Sequence, residues 1–458
     1  MTATTTVGPP TYDPYAYEIH EDPYPTYERL RDEAPVYHNS ERGFWALSRH
    51  EDVLEAFRNA DVFSSAEGVS LDPSASGPHA HRTMSFLAMD EPMHGRMRGL
   101  VSRGFTPRRV AELEPRIREI ARGYIAEAVE AGSFDFVDDF AGRLPMDVIS
   151  ELLGLPMGDR QELRRLSDLL VHREEGMHDV PPEGVEAAMI LVGRYSDLLA
   201  QRRRSPGDDL VSALLAAEID GDRLSDDEII GFLFLMVVAG NETTTKLLGN
   251  AWWWAWKHPL QRRDVFGNAT QGPNLQRVPA WVEETLRFDT STQMLARVTT
   301  TDVELHGTVI PAGERVLLLI GSANRDPRAF GSPDSYDLGR VTTGEPMAGL
   351  ASFGFGRHYC LGASLARLEA RVALEELASA VSDYDIDPTG IKRVHSVNVR
   401  GFAKMPTTVT PRAGGSASGG VAVSGKVQGP GKAAGSVEAA GSVKAAGSVE
   451  APRSGTDA

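Results

Sequence analysis

The chain has 458 residues, of which 41% are hydrophobic, so it can bury a large core. Its formal net charge of −17 argues against bulk binding to nucleic acid, because phosphate contacts need clustered Lys and Arg. A single cysteine excludes an intramolecular disulfide and any multi-cysteine zinc or iron–sulfur site.

The sequence shows neither the pattern of a signal peptide nor that of a membrane-spanning segment. Residues 1–10 are polar and carry no apolar signal-peptide region, and the longest apolar run, 231–240, is too short to span a bilayer. We therefore expect a soluble, cytoplasmic and monomeric protein that binds neither nucleic acid nor membrane.

The patterning predicts a mainly α fold with a smaller β portion. Predicted helices show an apolar repeat of 3.6 residues. They cover 24–34, 51–59, 109–131, 144–153, 159–171, 182–204, 208–217, 225–258, 278–288 and 361–381. Predicted strands cover 36–37, 44–47, 295–303, 309–310 and 316–320. Segments 64–86 and 324–349 are rich in Pro, Gly and polar residues, and we expect loops there.

The domain prediction is one large domain, 1–412, followed by a tail, 413–458. Ala, Gly and Ser dominate the tail, which has no aromatic residue and repeats Ala-Ala-Gly-Ser-Val-Glu/Lys three times. Such a composition buries too little surface to offset the entropy of ordering, so we expect disorder.

The most informative stretch surrounds the cysteine. Residues 353–362 read Phe-Gly-Phe-Gly-Arg-His-Tyr-Cys-Leu-Gly, and a periodic helix follows at once. Cys360 therefore lies at a helix N-terminus, where unpaired N–H groups and the helix dipole favour the thiolate. An isolated cysteine is more often a small buried hydrophobe, but the flanking glycines allow a bulky flat group to approach.

This pattern resembles the haem-binding loop of the cytochrome P450 superfamily, whose iron carries an axial Cys thiolate. The resemblance implies that fold, with haem b between the long central helix and the cysteine loop. It makes Cys360 the iron ligand and places Phe353 as a shield for the sulfur. Because Cys-x-x-Cys-His is absent, the haem is expected to be held noncovalently.

A second motif lies in the long helix, where residues 239–243 read Ala-Gly-Asn-Glu-Thr. A lone helical Thr commonly bonds back to a carbonyl, and a lone Glu commonly forms an ion pair. By resemblance, Glu242 and Thr243 are the family's acid–alcohol pair, which delivers protons during dioxygen cleavage. Glu242 is expected to connect to solvent, and the small residues before it to leave room for a ligand.

Further positions match the family in order along the chain. Glu284 and Arg287, three apart on one helix, match its Glu-x-x-Arg pair, and Arg340 matches the usual third partner. This trio is expected to be structural. The positions that match propionate-binding residues are His94, Arg98, Arg297 and His358. Paired Arg and His donors suit the two carboxylates of a haem.

The residues that contact the substrate can be inferred only from the regions of the chain that match the family. The predicted pocket residues are Leu235, Val238, Ala239, Met294 and Leu295. They suggest a mid-sized, mostly apolar molecule from natural-product, steroid or terpenoid metabolism. The resemblance implies insertion of one oxygen atom from dioxygen, as hydroxylation or epoxidation.

Electrons are expected from NAD(P)H through a ferredoxin and its reductase, because the sequence has no nucleotide-binding fingerprint. A ferredoxin is expected to dock on arginines of the cysteine side. These are Arg103, Arg108, Arg109, Arg357, Arg367 and Arg371. Oxidative coupling or ring formation by the same chemistry remains an alternative, and so does a haem-binding sensor without turnover.

Overall fold

A computed structural model describes residues 8–171, 180–267, 271–341 and 347–412. Helices make up most of this structure and several small sheets the rest, which confirms the predicted fold class. The predicted tail, 413–458, lies outside the described residues. Within the described ranges, every helix is too short or too polar to cross a lipid bilayer.

The helices follow the apolar repeats closely. In chain order they are α1 (Tyr17–Glu21), α2 (Tyr24–Glu33), α3 (His50–Arg58), α4 (His81–Met84), α5 (Met93–Val101), α6 (Pro107–Glu112), α7 (Glu114–Ala131), α8 (Leu144–Leu152), α9 (Arg160–Val171), α10 (Pro182–Arg204), α11 (Leu210–Ala216), α12 (Asp226–Lys257), α13 (Pro259–Phe266), α14 (Val278–Phe288), α15 (Ile320–Ala323) and α16 (Ala363–Ala380).

Local sequence explains where several of these helices begin. The Ser225 hydroxyl accepts from the N–H of Glu228, whose carboxylate accepts from the N–H of Ser225, so a capping box opens α12. The single helix predicted over 109–131 is instead two helices, α6 and α7. Pro115 stands in the first turn of α7, where a proline starts a helix well but cannot continue one from before.

The strands are short and come from distant parts of the chain. They are β1 (Val36–Asn39), β2 (Phe44–Leu47), β3 (Phe63–Ser64), β4 (Ser133–Asp135), β5 (Glu218–Ile219), β6 (Asp222–Arg223), β7 (Met294–Thr299), β8 (Val303–Leu305), β9 (Thr308–Ile310), β10 (Arg315–Leu319), β11 (Val381–Ile386), β12 (Lys392–Arg393), β13 (Phe402–Lys404) and β14 (Pro406–Pro411).

Two sheets organise the described strands. One has the order β1-β2-β10-β7-β3, in which β2 and β10 run parallel and the other neighbours run antiparallel. The other has the order β11-β14-β4, with Tyr384 opposite Val409 and Thr407 opposite Phe134. The second sheet therefore ties the end of the described chain to the strand after α7.

The core lies around α12, which packs against α8, α10, α14 and α16. Trp252 of this helix is fully buried and stacks on Tyr384 at 3.5 Å and on Phe136 at 4.7 Å between ring centroids. Trp252, the first of three adjacent tryptophans, therefore serves packing. Because α16 starts just after the cysteine loop, the same core fixes that loop beside α12.

Candidate active site

The cysteine loop is a tight, hydrogen-bonded turn. The N–H of Cys360 donates to the carbonyl of Phe353 at 2.9 Å. Gly354 and Gly356 have φ of +66° and +67°, a region that favours glycine. A Cβ added at Gly356 would lie 3.0 Å from the carbonyl oxygen of Phe57, so α3 leaves no room for a side chain there. Backbone geometry therefore requires these glycines.

Cys360 is exposed, although its loop is packed against the core. Nearby protein atoms still displace part of the water around the sulfur and raise the pKa of the Cys360 thiol, while the N–H groups of Gly362 and Ala363 and the charges of Arg98 and Arg367 act against the rise. These opposing groups all stabilise a thiolate. A bound cation at the sulfur would add to them, and a coordinating thiol is deprotonated outright.

Phe353, the predicted shield for the sulfur, belongs to the cysteine loop. Its side chain is half-buried in the main core cluster, and the guanidinium of Arg367 lies 4.4 Å from its ring centroid. Arg367 also donates to Glu283 of α14 at 2.6 Å. The ring is therefore held between the cysteine loop and α16.

One position in the middle of α12 is open to solvent. Ala239 is exposed in the middle of an otherwise buried helix, and Thr243, one turn later, is half-buried. The Thr243 hydroxyl donates to the carbonyl of Ala239 at 2.8 Å. Gly240 serves packing instead of ligand approach, because an added Cβ would lie 2.9 Å from Ile149 of α8. Only Ala239 of the two small residues thus leaves space for a ligand.

Glu242 is buried and paired with a cation. Its carboxylate lies 3.0 Å from Nζ of Lys246, and both side chains are 6% exposed. Any connection of Glu242 to solvent therefore runs through neighbouring groups, and the predicted connection stays a prediction. Sequence reasoning missed Lys246, although a spacing of four residues on a helix was a usable signal.

The four predicted propionate-binding residues come together beside the cysteine loop. The rings of His94 and His358 lie 4.0 Å apart, and Arg98 donates to the carbonyl of Tyr359 at 2.7 Å. Within the described part of the chain, Nε2 of His94, Nδ1 of His358 and one terminal nitrogen of Arg98 are buried without a hydrogen-bond partner, whereas Nδ1 of His94 lies 3.5 Å from the carboxylate of Glu91. Arg297 is almost fully buried and donates only to its neighbour Ala296 among the described contacts.

This cluster has the electrostatics of an anion site. Burial and the nearby positive charges of Arg297, His94 and Arg98 lower the pKa of His358 to about 2, and burial lowers that of Arg297 to about 10. A cavity of about 230 Å³ opens next to the cluster. Its lining comprises Ala60, Asp61, Asp90, Glu91, His94, Arg357 and His358. Buried donors without partners fit a group that brings carboxylates with it, as haem does.

Glu284, Arg287 and Arg340 also meet. Glu284 and Arg287 are fully buried and 2.7 Å apart, and Nε of Arg340 lies 3.3 Å from Glu284. Arg287 further donates to the carbonyls of Pro333 and Ser335 in the loop before the cysteine. The trio therefore joins α14 to that loop.

The predicted pocket residues divide into two groups. Ala239 is exposed, and Val238 and Leu295 are half-buried, so these three border open space. Leu235 is 9% exposed and lies mostly in the core. Met294 is fully buried against the cluster that contains Tyr12, on the opposite face of β7 from Leu295. Strand alternation thus removes Met294 from the pocket and assigns it to the core.

Known sequences are similar to this chain. Residues 186–388 match the family model for Cytochrome P450. Cytochrome P450 123 of Mycobacterium tuberculosis is 57% identical over 411 residues, which cover 89% of this chain and 100% of that protein. Vitamin D(3) 25-hydroxylase of Pseudonocardia autotrophica is 39% identical over 423 residues, which cover 90% of this chain and 100% of that protein.

Solved structures share the fold. The structure of cytochrome P450 CYP109Q5 from Chondromyces apiculatus has a TM-score of 0.77 and 35% identity, covering 87% of this chain and 98% of that one. The crystal structure of CYP109E1 from Bacillus megaterium in complex with corticosterone has a TM-score of 0.73 and 31% identity, covering 85% of this chain and 99% of that one.

Proposed function

The chain belongs to the cytochrome P450 family and is a cytochrome P450 monooxygenase; from that premise we propose that it hydroxylates a steroid-like or other mid-sized apolar molecule. The observation that carries haem-dependent oxidation is the set of buried side-chain donors that lack a hydrogen-bond partner next to the exposed Cys360. Secondary metabolism is a natural setting for such a reaction.

We assign haem binding to the residues already brought together. Cys360 would supply the axial thiolate, and Arg98, Arg297, His94 and His358 would bind the propionates. When bound, a haem with a thiolate ligand supplies the activation of dioxygen. The protein's task is to hold that group, exclude bulk water and deliver protons on the side facing α12.

The proton delivery is assigned to Glu242 and Thr243. Oγ1 of Thr243 donates to the carbonyl of Ala239, so its lone pairs stay available to accept a proton donor in the open space beside it. Glu242 is the neighbouring acid, one residue earlier on the helix. A hydroxyl held in this way orients a proton donor, while the acid replaces the proton that is used.

The substrate class follows from the pocket and from relatives. Val238, Ala239 and Leu295 are apolar and keep part of their surface accessible. One relative is named for hydroxylation of vitamin D3, and one structural neighbour holds corticosterone. We therefore choose corticosterone and vitamin D3 as first probes, and expect at least one of them to shift the spin state of the ferric enzyme.

The central test is the carbon monoxide difference spectrum of the reduced protein. We expect the red-shifted Soret band of a thiolate-ligated haem, and its loss in Cys360→Ser with haem still bound. Tyr359→Phe is a matched control, since it changes the adjacent side chain and leaves the sulfur. A thiolate band that survives Cys360→Ser would rule out Cys360 as the ligand.

Electron supply is assigned to an acidic ferredoxin that docks near Arg109. Residue 109 is exposed on α6, which packs against α16, the helix that follows the cysteine. Arg367 is a poorer target for mutation than its sequence position suggested, because it is tied to Glu283 and covers Phe353. Charge reversal in Arg109→Glu should slow ferredoxin-driven reduction at low salt and have less effect at high salt.

The control for this docking site is chemical reduction by dithionite, which needs no partner. Arg109→Glu should leave the dithionite-reduced spectrum unchanged. Unaltered ferredoxin-driven reduction at low salt would move the docking site away from Arg109.

A further inference from the structure

One face of α10 is apolar and yet exposed. Nine large apolar side chains are exposed in the described part of the chain, and four of them lie within eight residues of this helix. They are Val185, Met189, Ile190 and Val192, with exposed fractions of 48%, 65%, 37% and 43%. Single exposed apolar residues are common on proteins, whereas a contiguous group of them marks a contact with another molecule.

The exposed apolar face extends along most of α10. Successive residues of a helix are about 100° apart, so one face of the helix collects seven exposed and uncharged residues within an arc of about 100°. We call these residues the α10 stripe: Pro182, Val185, Met189, Val192, Gly193, Ser196 and Ala200. The buried residues of the helix, such as Leu191 and Tyr195, lie on its other side.

The packing of the chain itself does not explain why residue 193 is a glycine. A glycine in the middle of a helix is destabilising relative to alanine. A Cβ added at Gly193 would meet nothing within 4 Å, so the fold leaves room for a larger residue there. Because a glycine lets a second backbone approach closely, Gly193 suits a helix that packs across the α10 stripe from outside.

The α10 stripe is complementary in shape to itself. Its first half carries large residues, and its second half carries the small residues Gly193, Ser196 and Ala200. Two copies of α10 can be laid antiparallel about a two-fold axis between residues 192 and 193. The opposed pairs are then Val192 with Gly193, Met189 with Ser196, and Val185 with Ala200. Each large residue meets a small one, as knobs meet holes, and a two-fold symmetric interface requires such self-complementarity.

The charges at the two ends of α10 are complementary as well. The first two turns carry the exposed Glu183 and Glu186, and the last turn carries the exposed Arg203 and Arg204. Antiparallel pairing brings the acidic end of one copy against the basic end of the other. Within one chain, residues 186 and 204 are roughly 27 Å apart along the helix and cannot pair.

A lipid surface fits the α10 stripe less well than a second copy does. Helices that bind anionic membranes carry Lys and Arg on their polar face. Here Glu186 flanks the stripe at its most apolar part, and the chain has a net charge of −17, so an anionic surface would repel it.

We propose that two copies of this chain associate through the α10 stripe, with the helices antiparallel about a two-fold axis near Gly193. One helix face is a small interface, so the association should be weak and should depend on concentration. The monomer expected from the sequence is the alternative that the experiments below distinguish. The residues of the stripe are not among those of the candidate active site, so the inference is independent of the function proposed above.

The first experiment measures the molar mass of the haem-loaded protein by light scattering from about 1 µM to about 200 µM, because weak interfaces associate at micromolar concentrations. The mass should rise from that of a monomer toward that of a dimer. Met189→Glu should raise the dissociation constant at least about tenfold, since it places a charge in an apolar contact. Leu260→Glu is the matched control, because Leu260 is 79% exposed on α13, outside the stripe. It should dimerise as the wild type does. Both side chains are exposed, so both variants should keep the wild-type Tm.

The second experiment reverses the charges at the ends of α10. At low salt, Glu186→Arg and Arg204→Glu should each weaken association about threefold or more, because each places like charges opposite one another. The double variant with both changes should restore it. Residues 186 and 204 cannot meet within one chain, so restoration requires contact between antiparallel copies.

Three results would overturn the proposal. A wild type that stays monomeric up to the highest concentration would exclude association, and a dimer that Met189→Glu leaves unchanged would use another surface. A double charge variant that stays weak would exclude the antiparallel pairing. A monomeric wild type that binds vesicles of phosphatidylcholine and phosphatidylglycerol, with binding lost in Met189→Glu, would assign the stripe to a lipid surface instead.

Discussion

Replacing Arg287 by alanine should destabilise this P450 more than replacing either of two other arginines. Its guanidinium donates to both oxygens of Glu284, at 2.7 and 2.9 Å, and to the carbonyls of Asn324, Pro333 and Ser335. Neither partner of the ion pair is exposed to solvent. Arg287→Ala therefore leaves a buried carboxylate without its main cation.

The expected loss of stability follows from that burial. Breaking a buried ion pair by removing one partner costs about 3–5 kcal/mol. In Arg340→Ala, Glu284 keeps Arg287, and the side chain of Arg340 is 18% exposed, so we expect about 1 kcal/mol. The exposed pair of Arg29 and Glu33 should contribute least, because water screens the attraction between the two charges. The three variants should therefore rank Arg287, Arg340, Arg29.

Thermal unfolding of the three purified variants checks this ranking. With an unfolding entropy of about 2.1 cal/mol/K per residue over roughly 400 residues, 1 kcal/mol corresponds to ~1 °C. We expect Tm to fall by roughly 4–6 °C in Arg287→Ala, ~1 °C in Arg340→Ala, and less than ~1 °C in Arg29→Ala. Equal losses for Arg287→Ala and Arg340→Ala would refute the argument from burial.

Two glycine substitutions and two shortened chains test which parts of the backbone the fold requires. Gly356→Ala should cost about 1 kcal/mol or more and weaken the thiolate Soret band, because φ is +67° and Phe57 leaves no room. Gly362→Ala, where φ is −83° and an added Cβ meets nothing within 4 Å, should leave the band unchanged. A chain ending at Arg412 should keep the Tm of the full chain, since Arg412 still donates to the carbonyls of Phe266, Ala378 and Val381. A chain ending at Met405 should lose stability, because β14 and its pairing with β4 and β11 are gone.

Helices with a strong apolar repeat were predicted from the sequence almost to the residue. The predicted helices over 182–204 and 278–288 match α10 and α14, because a local periodicity determines which face is buried. The sheet β11-β14-β4 was not predicted. Its strands come from residues 133–135, 381–386 and 406–411, and pairing between distant segments leaves no local pattern.

In the candidate site, the functional residues were easier to predict than the sides on which their side chains lie. The sequence placed Cys360 at a helix start, and it singled out buried cations around it. Neighbouring residues of a strand face opposite sides, but the sequence could not tell which of Met294 and Leu295 lies in the core, since both are apolar.

The buried arginines of this protein are of two kinds, and the difference distinguishes a structural residue from a ligand-binding residue. Arg287 has its carboxylate, whereas Arg297 is almost as deeply buried and forms no ion pair among the described contacts, although the negative charge of Asp90 acts on it. An unpaired buried cation costs stability until a ligand supplies the opposite charge. Replacing Arg297 by methionine should therefore have opposite effects on the two forms of the protein.

In the haem-free protein, Arg297→Met should raise Tm, because it removes that unpaired charge. In the haem-bound protein it should lower Tm and speed the transfer of haem to an acceptor protein such as apomyoglobin by about tenfold, since a charged hydrogen bond contributes roughly 1.5–3 kcal/mol. Arg315→Met, at a half-buried position on the neighbouring strand, is the control and should change neither form in this way. Equal destabilisation of both forms by Arg297→Met would place Arg297 among the structural charges with Arg287.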